Sequence, residues 1–271
     1  MKKTILITGC SSGIGRATAL FLSSNGYKVF ATVRDEQSKQ ELEEDGITTF
    51  ILDVRDYEAI DIVIDEILKQ TNGTLDALFN NAGYGQPGAI EDIDVDTLKQ
   101  QFDTNVFGLH NITVKVLKIM KAQGYGKIIQ HSSVLGLISL KLRGAYNASK
   151  YAIEGLTDTL RLELEDTNIS VSLLNTGPII SDFRKNAKIK LQENIDIENS
   201  RFKDSYIKSL NSKKSDVPFT LGALDVAKIV LNILESSNPK PRYYITKATY
   251  LLGFAKRVLS TKLLDKILLK I

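Results

Sequence analysis

Tyr146 and Lys150, in the run Arg-Gly-Ala-Tyr-Asn-Ala-Ser-Lys, are spaced to share one face of a helix, which puts their Cβ atoms roughly 5–6 Å apart. A free phenol titrates near ~10, so it is a poor proton carrier at neutral pH, and each unit of depression costs roughly 1.4 kcal/mol. A neighbouring ammonium supplies that difference by stabilising the phenolate, which makes a tyrosine usable as an acid or base. Tyr243 and Lys247 repeat the spacing, but they follow Pro239 and Pro241 in an Arg-Tyr-Tyr-Ile-Thr run that reads as strand. In a strand, positions four apart stand too far from each other for that coupling. Only Tyr146 opens a segment with helical periodicity.

A glycine-rich turn points to the second reactant. Thr4-Ile-Leu-Ile-Thr8 is a short apolar run, Gly9-Cys10-Ser11-Ser12-Gly13-Ile14-Gly15 follows, and helical periodicity begins at Arg16. Strand, glycine turn and helix together form the phosphate-binding start of a dinucleotide fold, where small residues let the backbone approach a pyrophosphate at a helix N-terminus. The spacing is Gly-x-x-x-Gly-x-Gly rather than Gly-x-Gly-x-x-Gly. Taken alone, such a turn also fits a plain strand-to-helix connection.

The elements that must position these groups alternate. Periodicity predicts strands near 4–8, 28–33, 48–53, 75–80, 127–132, 169–174 and 242–246. It predicts helices near 13–25, 35–45, 56–70, 96–122, 145–166 and 222–236. That pattern means an α/β fold: one doubly wound, Rossmann-type domain with a parallel sheet of about seven strands and helices on both faces. Right-handed crossovers bring the strand C-terminal ends to one edge, where ligands bind. The oxidoreductase domain is expected at 1–248, with an insertion at 179–221 and a helical tail at 249–271.

Together these segments resemble the short-chain dehydrogenase/reductase family from residue 4 to about 246. The marks are Thr8-Gly9-Cys10-Ser11-Ser12-Gly13-Ile14-Gly15, Leu52-Asp53-Val54, Asn80-Asn81-Ala82-Gly83, Asn105, Ser132-Ser133 and Tyr146-x-x-x-Lys150. Gly-Cys-Ser-Ser-Gly-Ile-Gly with Ala31-Thr32-Val33-Arg34 is further similar to the hydroxysteroid and retinol dehydrogenase branch. The resemblance implies a catalytic tetrad of Asn105, Ser133, Tyr146 and Lys150. Tyr146 would exchange a proton with the substrate oxygen, and Lys150 would lower its pKa and hold the nicotinamide ribose. Ser133, the residue 13 positions before Tyr146, would hydrogen-bond the carbonyl oxygen. Asn105 would steady the lysine.

The cofactor-binding set implied is Gly9, Ser11, Ser12, Gly13, Ile14, Gly15, Arg34, Asp53, Val54, Asn81, Ala82, Gly83, Tyr146, Lys150, Pro178, Ile180 and Ser181. Asp53 matches the residue beside the adenine, and Asn80 matches a structural asparagine joining adjacent strands. An NAD site usually has a carboxylate at the end of the second strand; the matching position here is Val33, followed by Arg34. An apolar residue with a guanidinium beside it suits a 2′-phosphate, so NADP is expected over NAD. Asp35 and Glu36 follow directly and offer the alternative of a ribose hydroxyl contact. After the sixth strand the family pattern is Pro-Gly, with a threonine four residues past the glycine. This chain has Thr176 for the proline and Ser181 for that threonine, from which weaker nicotinamide positioning is expected. The expected activity is carbonyl reduction or alcohol oxidation on an apolar small molecule, by a homodimer or homotetramer. The alternative is a nucleotide-binding sensor of the same fold.

Composition bounds the rest. The 271 residues are 43% hydrophobic with a net charge of +3, which gives little support to nucleic-acid binding. The one cysteine, Cys10, excludes an internal disulfide and reads as a small filler. His110 and His131 stand far apart, so no metal cluster is expected, and His131 reads as packed. The chain starts on its first strand without a signal-peptide pattern, and cytoplasmic residence is expected.

The insertion holds Phe183, Leu191, Phe202, Tyr206, Ile207, Leu210 and Phe219, candidates for an apolar substrate wall. Its lysines, among them Lys188, Lys213 and Lys214, read as solvated. Residues 240–271 hold eight Lys/Arg against Asp265, a net +7, so residues 1–239 carry −4. Leu252, Ala255, Leu259, Leu263 and Ile267 recur there at helical spacing. Two readings of this tail stand open: packing over the pocket or a partner subunit, which is favoured, or peripheral contact with an anionic membrane.

Overall fold

The computed structural model describes residues 2–212 and 217–271; Lys213 and Lys214 lie outside the described residues. Its sheet is built from β1 (Thr4–Ile7), β2 (Lys28–Val33), β3 (Thr48–Ile51), β4 (Ala77–Asn80), β5 (Gly126–Ser133), β6 (Ile169–Thr176) and β7 (Arg242–Tyr244). All neighbouring strands are parallel, in the order β3-β2-β1-β4-β5-β6-β7. The order reverses between β1 and β4, which opens a crevice above their C-terminal ends.

Period-two alternation divides the strand side chains between two cores. Ile5, Ile7, Val29, Ala31 and Phe79 face one core, closed by α1 (Gly13–Ser24), α2 (Glu36–Glu44) and α9 (Ala223–Glu235). Leu6, Phe30, Leu78 and Ile128 face the other, closed by α3 (Tyr57–Lys69) and α5 (Leu109–Gln123). Asp56 caps α3 by accepting from the Glu58 and Ala59 amides, which leaves Asp53 free of that task. Tyr243 lies in β7 and Lys247 starts the next helix, so that pair shares no element.

Three expectations needed correction. The single helix expected over 96–122 is α4 (Val95–Phe102), a π-helical turn (Asp103–Gly108) and α5. The insertion folds into α7 (Phe183–Asn194) and α8 (Lys203–Asn211). Leu191, Tyr206 and Leu210 form a small core of these helices, with Ile195 and Leu142, rather than a pocket wall, while Phe202 packs at its edge and also lines a cavity with Leu140 and Lys141. Ile207 and Phe219 are exposed. Lys188 is not simply solvated either, since it donates to the carbonyls of Leu210 and Ser212 at 2.9 and 2.8 Å and ties α7 to the end of α8.

The tail forms two helices, α10 (Lys247–Val258) and α11 (Thr261–Leu268), after α6 (Gly144–Glu163) and the rest of the domain. Leu252 and Leu268 pack on a cluster of Leu135, Ile138 and Tyr146, as the packing reading of the tail expects. Among the described residues no helix is long and apolar enough to cross a membrane.

Asn80 joins β4 to its surroundings as expected. Its amide donates to Thr113 Oγ1 of α5 at 2.8 Å and to Gln130 Oε1 of β5 at 3.0 Å. Asn80→Ala strands a buried amide acceptor on Gln130, so a loss of about 1–3 kcal/mol is expected. It would be read as a lower urea midpoint with an unchanged m-value.

Candidate active site

The crevice is made by a close backbone crossing. Gly9 has φ +71°, and a Cβ on it would lie 2.7 Å from Ala82 Cα. One on Gly15 would lie 2.2 Å from the Gly9 carbonyl oxygen and 2.5 Å from Asn81 Nδ2. Asn81 fixes the crossing by donating to the carbonyls of Thr8 and Gly9, each at 2.9 Å. The Thr8 hydroxyl accepts from the amides of Asn81 and Ala82.

Ser12 is the N-cap of α1, and its side chain makes no capping bond there. The first-turn amides and the Ser12 hydroxyl are thus available to an anion. Gly13, with φ +58°, lies under Ser181, whose Cβ would be 3.1 Å from an added methyl. A backbone cradle without side chains at a helix start fits a dinucleotide pyrophosphate. Ser11 and Ile14 belong to the same turn, and Ile14 packs against the core below it.

α6 delivers Tyr146 and Lys150 to the next part of the crevice, 8% and 6% exposed. Lys150 donates to the His131 carbonyl at 2.7 Å, and its Nζ lies 5.6 Å from the centre of the Tyr146 ring. Burial pushes the Tyr146 phenol up to about 12, partly offset by a hydrogen bond with Ser133. Burial also pulls Lys150 down to about 8, against the opposing charge of Glu154. In the bare protein burial is the largest influence on the Tyr146 phenol, and its net shift is upward.

Ser133 and Ser132 point to opposite sides of β5. Ser132 is taken up by Glu154, a close hydrogen bond, while Ser133 accepts from the Leu135 amide at 3.1 Å and faces Tyr146. Glu154 also accepts from Asn175 Nδ2 at 2.6 Å and pairs closely with Arg242. One turn past Lys150, this carboxylate clamps α6 to β5, β6 and β7. The sequence reading had no signal for Glu154, because its partners come from three distant segments.

Asn105 lies in the π-helical turn. Its amide donates to the Tyr84 carbonyl at 2.9 Å and to Ser149 Oγ at 3.1 Å, and its oxygen accepts from the Tyr84 amide. It therefore acts on the loop after β4 and, through Ser149, on α6 one residue before Lys150. A Cβ at Gly83 would lie 3.1 Å from Asn105 Oδ1, so Asn105 and the Asn81-Ala82-Gly83 loop come together as expected. A π turn widens the helix by one residue and often marks a functional position.

His131 is packed, as read from the sequence, but it is also a bridge. Its ring nitrogens contact Asn81 Oδ1 at 3.0 Å and Thr176 Oγ1 at 3.1 Å. Burial holds the imidazole down at about 3, so it stays neutral. Thr176, the departure from the family's proline, thus supplies a hydroxyl to His131.

The far end of the crevice follows β2 and β3. Val33 is buried and Arg34 is exposed, and Arg34 enters no salt bridge among the described residues. Asp35 is the N-cap of α2, accepting from the Ser38 amide at 2.8 Å and the Ser38 hydroxyl at 2.9 Å. Asp53 is paired with Arg55 at 2.6 Å, which holds its carboxyl below the usual carboxylate range. The Val54 side chain is in the core, and its carbonyl would be 2.6 Å from a Cβ on Gly108. Pro178 and Ile180 pair through backbone bonds with Leu221, and the Ile180 side chain is exposed.

At the substrate end, the Phe183 ring lies 5.4 Å from that of Tyr146. A Cβ at Gly85 would touch Phe183 at 2.7 Å. Of the apolar residues expected to form the wall, Phe183 is the one whose ring reaches Tyr146. Cys10 is fully buried with its thiol pushed up to about 12, in keeping with a filler role.

Residues 3–192 match the family model described as short chain dehydrogenase. The chain is 38% identical to the Escherichia coli (strain K12) protein described as uncharacterized oxidoreductase YbbO, over 99% of this chain and 94% of that one. It is 33% identical to human retinol dehydrogenase 8, over 89% of this chain and 80% of that one. The solved structure of ElxO with NADP bound superposes with a TM-score of 0.74 at 27% identity, covering 90% of this chain and 97% of that one.

Lys150 generates a pH test. Its folded pKa, about 8, lies below the ordinary 10.5, so between those values the unfolded chain binds a proton that the folded chain has released. Stability from this group therefore rises with pH across that window. Relative to Lys150→Met, the wild type should gain urea stability between pH about 8 and 10; parallel pH profiles of the two proteins would contradict the assignment.

Proposed function

The chain belongs to the short-chain dehydrogenase family, oxidoreductases of CH–OH and C=O groups, and from that premise we propose that it is an NADP(H)-dependent carbonyl reductase and alcohol dehydrogenase for an apolar substrate. The observation that carries this reading is the buried Tyr146 phenol, hydrogen-bonded with Ser133 and one helical turn from Lys150. With its pKa pushed up to about 12 the phenol carries its proton at neutral pH, and the ammonium of Lys150 would ease release of that proton to a carbonyl oxygen by stabilising the phenolate. Ser133 hydrogen-bonds the same oxygen as negative charge develops on it. A bound nicotinamide supplies the hydride to the carbonyl carbon, or takes it from the alcohol in reverse. Lys150 stabilises the phenolate left after proton transfer and holds the cofactor ribose. Asn105 keeps the Tyr84 loop and Ser149 in register with these groups.

NADP is favoured by three features. Val33 offers no carboxylate to repel a phosphate, Arg34 is exposed beside it, and Asp35 is committed to capping α2. The NADP bound to the similar structure ElxO agrees. An apolar substrate is favoured by Phe183 over Tyr146 and by the Leu135, Ile138, Leu252 and Leu268 cluster beside it. Similarity to a retinol dehydrogenase points the same way. The insertion at 179–221 would serve as the substrate lid. NADPH consumption across aldehydes, retinal, ketosteroids and 3-oxoacyl thioesters tests the reading; no turnover with any of them would favour a sensing role.

Tyr146→Phe should abolish turnover and leave NADPH binding intact, since it removes the proton and little volume. Substantial residual activity at neutral pH would remove the tyrosine from the mechanism. Arg34→Ala should raise the NADPH Kd by roughly ten- to a hundredfold, as for a charged hydrogen bond of about 1.5–3 kcal/mol, and barely change NADH. Equal losses for both cofactors would show that Arg34 does not read the 2′-phosphate.

A further inference from the structure

α10 is apolar on two sides, and α11 on one. Facing inward, Thr249 and Gly253 are buried, Leu264 is buried, and Leu252 and Leu268 rest on the Leu135–Ile138–Tyr146 cluster. On the opposite face of α10, Tyr250, Leu251, Phe254 and Val258 recur at i, i+1, i+4 and i+8. They are 59%, 60%, 66% and 57% exposed. On α11, Leu263 and Ile267 are exposed one turn apart at the edge of the inward Leu264–Leu268 row, and Leu269 and Ile271 follow exposed. A helix that packs on one side and meets water on the other carries polar residues outward; α10 does the reverse. A contiguous outward apolar strip of this kind marks an interaction surface.

Charge identifies the partner. Lys247, Lys256, Arg257, Lys262, Lys266 and Lys270 are exposed on these two helices, against the single acid Asp265. On α11, Lys262 and Lys266 stand one turn apart and flank the Leu263–Ile267 row, and Lys270 follows just past its end. A second copy meeting this face symmetrically would set cation against cation. An anionic lipid surface accepts both components: acyl chains take the aromatic and aliphatic side chains, and headgroups take the ammonium groups. Neither helix is long enough to span a bilayer, so the geometry is that of a helix pair lying in the interface.

We propose that α10 and α11 dock this protein on an anionic bilayer, with Tyr250, Leu251, Phe254 and Val258 inserted at the headgroup boundary and the lysines around them on the lipid phosphates. The inner side of the same helices covers the cluster next to Tyr146. Docking would therefore leave that cluster about one helix diameter, roughly 10–12 Å, from the lipid.

The chain has no tryptophan, so Phe254→Trp in the full-length protein gives a single reporter on the exposed face. Its emission should shift to the blue on phosphatidylglycerol vesicles, shift little on phosphatidylcholine, and return as salt is raised. Lys262→Glu with Lys266→Glu should weaken vesicle binding by at least about tenfold. Leu251→Ser with Phe254→Ser should abolish co-sedimentation while the melting temperature is kept, since both side chains point away from the packed face. Absence of wild-type binding to anionic vesicles would overturn the proposal, as would equal binding by the serine variant. So would a wild-type oligomer that the serine variant dissociates and that ignores vesicles, which would make this face a contact between copies. None of these readouts needs turnover, so the result stands apart from the oxidoreductase reading.

Discussion

The backbone crossing of the β1 and β4 loops is the constraint on which the rest of the site depends. Gly9 and Ala82 approach so closely that a single added methyl would collide with backbone, and Gly15 is held against the Gly9 carbonyl. A side chain cannot yield its way out of a clash with main chain. The requirement therefore falls on residue type at those positions, and Asn81 then locks the crossing by bonding to the two carbonyls that flank it. Every other group of the site is placed relative to this floor. His131 bonds to Asn81, Lys150 bonds to the His131 carbonyl, and Tyr146 is one turn before Lys150.

Burial sets the electrostatics of that chain of contacts. A lysine pulled down to about 8 beside a tyrosine pushed up to about 12 leaves the phenol neutral and the ammonium still charged at neutral pH in the bare cleft. The mutual attraction of ammonium and phenolate is held in reserve until negative charge forms, which suits proton donation more than proton capture. Glu154 keeps the balance from tipping further. Its carboxylate favours the charged lysine while its bonds to Ser132, Asn175 and Arg242 hold α6 against three strands. A buried carboxylate so fully partnered avoids the penalty that an unpaired one would carry.

The accessory segments show how one stretch serves two surfaces. α7 contributes Phe183 to the tyrosine and uses its remaining apolar residues to build a core with α8. α10 and α11 likewise spend Leu252 and Leu268 on the cluster beside Tyr146, and α10 leaves a second apolar face outside. The tail's hydrophobic periodicity was plain in the sequence. Which of its residues face inward was not, because both faces of α10 are apolar and periodicity alone cannot orient such a helix.

What the sequence determined by itself is local. Apolar runs of four to six residues, the glycine turn and the helical repeat located the seven strands and the principal helices to within a few residues. The Tyr146–Lys150 spacing needed only one helix to become a shared face. Cys10 as a small filler was legible for the same reason, since it stands inside the glycine turn. The tertiary structure decided everything that rests on meetings between distant segments. Asn105 turned out to hold Tyr84 and Ser149 from a π turn that a smooth periodicity conceals, and Thr176 found His131. The sign of the tyrosine's shift belongs here too. The Tyr–Lys spacing is written in the sequence, but desolvation depends on how many segments close over the ring, and that is a property of the packed fold alone.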